Sequence, residues 1–244
     1  MKSNLKEAIL AYAIKYQGEW SLIAKAIKRK EPYQVAQIEN KYITIMDPEY
    51  PDCFKRLRYP PWILFYKGNL SLLKRKCIGV IGARNCSMQA LQNTKVVVDH
   101  LKTRYCIVSG LAKGIDAMAH RSSIETIGII GCGIDRIYPY MNKELYKQME
   151  ERQLILSEYP LDTAPLSYHF PWRNRLIAAL SDSIVVIEAT RKSGTMTTVN
   201  EALELSKTIY CLPTAFNVKG YEGCNYLISQ GAMIVSDEKD LDDI

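Results

Sequence analysis

Between Phe170 and Arg175 the chain reads Phe170-Pro171-Trp172-Arg173-Asn174-Arg175, which puts two aromatic rings and two guanidiniums within six residues. Aromatic faces stack on nucleic-acid bases, and arginines fork onto phosphates or lie flat over a base. The same residue types also pack together in ordinary cores. The segment gains weight from four glycine-bearing loops. The first is Gly79-Val80-Ile81-Gly82-Ala83-Arg84-Asn85, followed by Ser87 and a helical stretch. Here Gly82 lets the backbone approach a ligand, and Arg84 adds a charge where helix N–H groups are free to meet an anion. The second runs Ser109-Gly110-Leu111-Ala112-Lys113-Gly114-Ile115-Asp116 and leads to His120. Ser109, Gly110, Lys113 and Gly114 suit a phosphate. Asp116 and His120, four apart, share a helix face and read either as a catalytic dyad or, the favoured reading, as a structural pair bracing the wall. The third, Gly131-Cys132-Gly133-Ile134-Asp135 with Tyr138-Pro139, reads as a tight turn. In the fourth, Lys192-Ser193-Gly194-Thr195-Met196-Thr197-Thr198, the hydroxyls either cap a helix or hold phosphate or ribose. Each loop alone also reads as a plain turn; four of them beside Arg173 and Arg175 point to a ligand crevice.

Loops of this kind need a sheet to bring them together. Apolar, β-branched runs recur at Cys77–Ile81, Tyr105–Ser109, Ile127–Gly131, Leu154–Glu158, Ile184–Glu188, Thr208–Leu212 and Ala232–Val235, most of them separated by amphipathic stretches of helical length. Nearly all-apolar strands are covered on both faces, and the alternation predicts βαβ units. The expected fold is α/β: a Rossmann-like, doubly wound, mostly parallel sheet with its crevice at the carboxyl ends of the strands. Residues 1–40 are expected to form a small helical N-terminal unit, from apolar positions such as Leu5, Ile9, Tyr12 and Tyr16 at three- and four-residue steps. Residues 41–76, rich in turn formers but holding the strand-like run Trp62–Tyr66, read as a linker that packs against the main domain. Residues 77–244 form that domain.

Composition narrows the function classes. The 244 residues are 48% hydrophobic, enough for a full core. No apolar run reaches transmembrane length, and the start leads into no signal-peptide core, so a cytoplasmic protein is expected. The seven cysteines are scattered and the three histidines dispersed, which argues for free thiols and against a zinc site or disulfide frame. The net charge of +6 is uneven: residues 1–76 carry 15 Lys and Arg against 7 Asp and Glu, whereas the remainder is slightly acidic. This fits either a polyanionic partner or a solvated helical surface.

Taken in order, Gly82-Ala83-Arg84, the Ser109–Asp116 loop with His120, Gly131–Asp135 with Tyr138-Pro139, Ser157-Glu158-Tyr159-Pro160, Phe170–Arg175, Ser193-Gly194-Thr195 and Gly231-Ala232 resemble the bacterial DNA-processing family known as DprA or Smf, over roughly residues 60–236. The resemblance implies an extended Rossmann-like domain that binds and protects single-stranded DNA and helps load the RecA recombinase during natural transformation. It also implies a homodimer and no covalent chemistry on the DNA, hence no enzyme and no cofactor. Single-strand-binding protein is a further expected partner. Arg84 takes the place of the family's DNA-contacting arginine, and Phe170, Arg173, Asn174 and Arg175 fall in its groove-lining segment.

The chain departs from the family pattern in three places. Ser167-Tyr168-His169 stands where many relatives have a basic residue, so part of the phosphate contact is expected to be weaker or supplied elsewhere, for example by Lys113. Pro213-Thr214 replaces a Pro-Gly, and the chain ends at Ile244, where many relatives continue into a winged helix. Two rival readings share the fold. One is a phosphoribohydrolase that cleaves nucleoside monophosphates, suggested by the Ser193–Glu201 stretch; the other is a nucleotide sensor. Self-association is expected through the C-terminal third, where Tyr226, Leu227 and Ile228 precede a final apolar edge strand.

Overall fold

A computed structural model describes residues 2–215, Val218 and residues 220–244. The strands are β1 Lys41–Thr44, β2 Ile63–Gly68, β3 Cys77–Ile81, β4 Cys106–Ser109, β5 Thr126–Ile130, β6 Leu154–Ser157, β7 Ser183–Val186, β8 Thr208–Cys211 and β9 Met233–Ile234. They form one sheet in the order β1-β2-β6-β5-β4-β3-β7-β8-β9. From β6 to β9 all neighbours are parallel. Every residue of β3, β4, β5 and β6 is buried, the burial that continuous apolar runs predict for strands covered on both faces.

The helices are α1 Lys2–Lys15, α2 Trp20–Arg29, α3 Asp52–Lys55, α4 Met88–Leu101, α5 Ile115–Ser122, α6 Lys143–Arg152, α7 His169–Leu180, α8 Gly194–Glu204 and α9 Gly223–Ser229. Two features of this arrangement position the crevice. First, β3 lies between β4 and β7, so the chain winds away from it in both directions, and the loops that follow β3 and β7 diverge above their carboxyl ends. Second, the connection from β6 to β7 must cross back over β5, β4 and β3. Helix α7 makes that crossing and packs on all three. Its N-terminal end, which carries the Phe170–Arg175 segment, is thereby delivered to the mouth of the crevice.

The segment expected as a linker contributes more than packing. Lys41–Thr44 and Ile63–Gly68 extend the sheet on the far side of β6 as an antiparallel pair, with Tyr42 opposite Phe65 and Phe65 opposite Ser157. Helices α1 and α2 lie over this end, where Ile9, Tyr12, Ala13 and Ile23 share a buried cluster with Ile63, Phe65, Ile130 and Ile155. None of the described helices is long and apolar enough to cross a membrane.

Candidate functional site

Above the carboxyl ends of β3, β4 and β7 lies an open crevice of about 630 Å³. Its lining brings together the first loop (Gly82, Arg84), the N-terminal half of α7 (Phe170, Arg173, Asn174) and the start of α8 (Ser193, Gly194, Thr195). A smaller hollow continues from it past Gly110 and Lys113 to Tyr138. Ten of the residues singled out from the sequence therefore meet in one place.

The first loop is held by its surroundings. Glu188, just past β7, accepts the Ser87 backbone N–H at 2.9 Å and the Ser87 hydroxyl at 2.7 Å, while Ser87 caps α4 by accepting from the Ala90 N–H at 3.0 Å. The Ala83 N–H also donates to the Glu188 carbonyl at 2.8 Å. Arg84 is left projecting from this clamped loop. It is exposed, makes no ion pair with any described residue, and sets its guanidinium 5.3 Å from the centre of the Phe170 ring. Tyr138 packs on Phe170 with ring centroids 5.5 Å apart. A free cation and a half-buried ring thus share the mouth. Glu188 was not among the sequence candidates; its only signal was an acidic residue closing an apolar strand run.

Helix α8 offers the opposite wall. Its N-cap residue Ser193 makes no capping bond and instead donates its hydroxyl to the Thr190 carbonyl at 3.0 Å. The first-turn N–H groups of α8 are therefore free of a side-chain cap where an anion would sit. Asn174 ties this wall to α7 through a 3.2 Å bond from its side-chain amide to the Gly194 carbonyl.

Arg173 forms the floor. It is only 4% exposed, donates to the Ile129 carbonyl, and leaves its buried Nε without a hydrogen-bond partner among the described residues. A Cβ on Gly110 would fall 2.3 Å from the Arg173 guanidinium, so glycine is needed there for the arginine to lie against the loop. Asp116 sits close by and accepts the N–H groups of Gly110 at 3.1 Å and Ala112 at 3.4 Å. Burial raises the Asp116 carboxyl and lowers the Arg173 guanidinium from their ordinary values, and each charge offsets part of that cost for the other.

Several sequence expectations find different places. Asp116 and His120 do not pair: His120 Nδ1 meets the Thr126 hydroxyl at 2.6 Å, and burial pushes its pKa down to about 3, which keeps the ring neutral. Ser109 is fully buried and donates to the Val80 carbonyl at 2.7 Å, so it stitches β4 to β3 rather than facing the crevice. Gly114 lies behind the lining, pressed against the first loop. Arg175 points away from the crevice. It forms a bidentate pair with Glu158 at 2.6 and 2.7 Å and also donates to the Trp172 and Tyr59 carbonyls at 3.0 Å. Trp172 goes with it, packed on Tyr59 and beneath the Arg175 guanidinium. Helical geometry explains the split. Phe170, Arg173, Asn174 and Ile177 share one face of α7, while Trp172 and Arg175 take the other.

The arrangement suits binding: rigid N–H donors, a free cation and an aromatic face around a wide, open hollow. Comparison with known proteins points the same way. The family described as DNA recombination-mediator protein A matches residues 41–243. The chain is 39% identical over 202 residues to the DNA processing protein DprA of Streptococcus pneumoniae, covering 81% of this chain and 72% of that one. It is 38% identical to the Bacillus subtilis protein of the same name, covering 82% and 69%. The X-ray structure of S. pneumoniae DprA superposes with a TM-score of 0.83 over 99% of this chain and 94% of that one, at 33% identity. The DNA processing protein A of Helicobacter pylori, whose structure concerns its binding of single-stranded DNA, gives 0.78 over 84% and 96%, at 31% identity.

Proposed function

The chain belongs to the DNA recombination-mediator protein A family, and from that premise we propose that it binds single-stranded DNA in this crevice with little sequence preference. Bound there, the strand is protected and passed to a RecA-type recombinase in natural transformation and recombination. The observation that carries this reading is the unpaired Arg84 set against Phe170 at the mouth of a wall of backbone donors. Phosphates meet Arg84, Lys113 and the uncapped N–H groups at Ser193–Thr195, Gly82 and Gly110 keep the neighbouring loops low, and Phe170 offers a stacking face; every base has one, so sequence matters little. Arg173 and Asn174 form the floor and wall, and Ser109, Gly114 and Arg175 serve as the frame behind them.

The reading is of a binding protein, not an enzyme. Asp116 is the carboxylate among the described lining residues, and it is already committed to two backbone N–H groups, which leaves it poorly placed as a general base. Release of free base from a nucleoside monophosphate would restore the hydrolase reading. Residues 1–40, 41–76 and 77–244 act as helical cover, sheet extension and binding body, in a cytoplasmic protein that also meets single-strand-binding protein.

Labelled oligonucleotide binding tests the proposal. A single strand is expected to bind more tightly than the duplex of the same sequence, with affinity falling steeply as salt rises. Arg84→Ala should lower single-strand affinity by roughly tenfold or more, since a charge-assisted contact contributes about 1.5–3 kcal/mol, and leave the unfolding temperature unchanged. Equal affinity for duplex, or normal binding by Arg84→Ala, would overturn it.

Self-association through the sheet edge belongs to the same proposal. Among the described residues β9 pairs with β8 alone, and its Met233 and Ile234 are about half exposed, whereas Leu227 packs into its own subunit. Sedimentation at micromolar protein should show twice the 27.8 kDa chain mass; a monomer at every concentration would refute it.

A further inference from the structure

Resting on the single-strand reading above, we propose that the turn from Tyr138 to Lys143 is a second stacking platform, which takes the strand as it leaves the crevice past Lys113. Three side chains in four consecutive positions stand in water here: Tyr138 is 42% exposed, Tyr140 69% and Met141 71%. Such apolar clustering on a folded surface marks an interaction site. The turn is also rigid. Buried Asn142 donates to the carbonyls of Leu111 at 3.0 Å and Ala112 at 3.2 Å, and the Tyr146 hydroxyl donates to the Tyr138 carbonyl at 2.8 Å. Tyr140 and Met141 are therefore held outward by a bolt to the same loop that carries Lys113.

The platform is continuous with the crevice. Tyr138 lines both the main crevice and the smaller hollow beside Lys113, and its ring lies next to Phe170. Beyond it stands Tyr140, with the Lys143 ammonium 5.6 Å from its ring centre. The nearest acid along α6, Glu144, is turned to Lys147 at 3.5 Å. Rings alternating with cations, Phe170 with Arg84 and then Tyr140 with Lys143, match the alternation of base and phosphate along a single strand. A duplex keeps its bases stacked inside and gains nothing from exposed tyrosines, so this platform also sharpens the preference for single strands.

The test uses fluorescein-labelled oligothymidylates of increasing length against the parent protein, Tyr140→Ala, Tyr140→Phe and Arg84→Ala. Tyr140→Ala is expected to match the parent on strands that fill only the crevice and to bind longer ones about fivefold or more weakly. Tyr140→Phe should retain parental binding at all lengths. Replacing bases by abasic spacers one position at a time should reveal a position at which the parent loses the same factor and Tyr140→Ala loses nothing further. Arg84→Ala should weaken every length, and failure of that pattern strikes the crevice reading itself. If Arg84→Ala behaves as stated but Tyr140→Ala binds all lengths like the parent, the platform is refuted and the turn is left to a protein partner. An equal loss at every length, with spacer effects simply additive, would refute it as well.

Discussion

Glu158→Ala should destabilise the protein by about 3–5 kcal/mol while leaving the crevice intact, because it strands the buried Arg175 guanidinium without its counter-charge. Both side chains are 5% exposed and the contact is bidentate, so the carboxylate is the desolvated counter-charge of the guanidinium. The two backbone carbonyls that Arg175 also reaches, on Trp172 and Tyr59, satisfy N–H groups but do not neutralise the charge. Urea unfolding is the measurement: the midpoint should fall with an unchanged slope. A loss below about 1 kcal/mol would mean that the pair is effectively solvated. Oligonucleotide affinity, measured where the variant is still folded, should equal that of the parent. A large drop there would return Arg175 to the DNA-contacting role that its place in the sequence suggested.

A second large effect is expected at Gly114. Its φ of 78° and ψ of −127° fall in a region that side-chain-bearing residues rarely enter. An added Cβ would also lie 2.5 Å from the Ala83 carbonyl oxygen and 2.7 Å from that of Arg84. Strain and overpacking together should cost Gly114→Ala at least about 2 kcal/mol. The relief open to the chain is to push the first loop outward, which carries Arg84 away from Phe170. Thermal unfolding and single-strand binding should therefore both decline. Gly194→Ala is the stability control, since nothing lies within 4 Å of its added Cβ and its φ is not positive. Equal stability and binding for Gly114→Ala and the parent would show that the two loops are not pressed together.

Most of the strands were legible in the sequence because each of those is a short apolar run bounded by glycine or polar residues. Cys77–Ile81 is found at its expected bounds, and Leu154 and Thr208 open their strands as expected. β1 was not legible, since Lys41-Tyr42-Ile43-Thr44 is buried on only two of its residues and sits among turn formers, so no apolar run announces it. The crevice was readable as a set of loops after strands, a consequence of parallel topology alone. What the sequence hid was direction. Phe170–Arg175 reads as one cluster along the chain, and Pro171 obscures the fact that it is helical. Proline is tolerated in a first helical turn, where its missing N–H has no partner to lose. Once Pro171 lies in the first turn of α7, the two arginines must face opposite ways, one to the crevice floor and one to Glu158. Asp116 and His120 misled for a related reason: sharing a helix face permits a contact, but closer donors and acceptors claimed both side chains.

Family membership is written from residue 41 onward, yet the body it describes does not close by itself. Ile63, Phe65 and Ile155 present an oily strip that, in this chain, α1 and α2 shield. Those two helices behave as a roof rather than as an appendage. What such a roof requires is modest: one greasy underside of the right length, whatever its upper surface carries. The exposed side of that roof belongs to α2, at Ser21, Leu22, Lys25, Lys28 and Arg29, and a change there leaves the cover over the sheet in place.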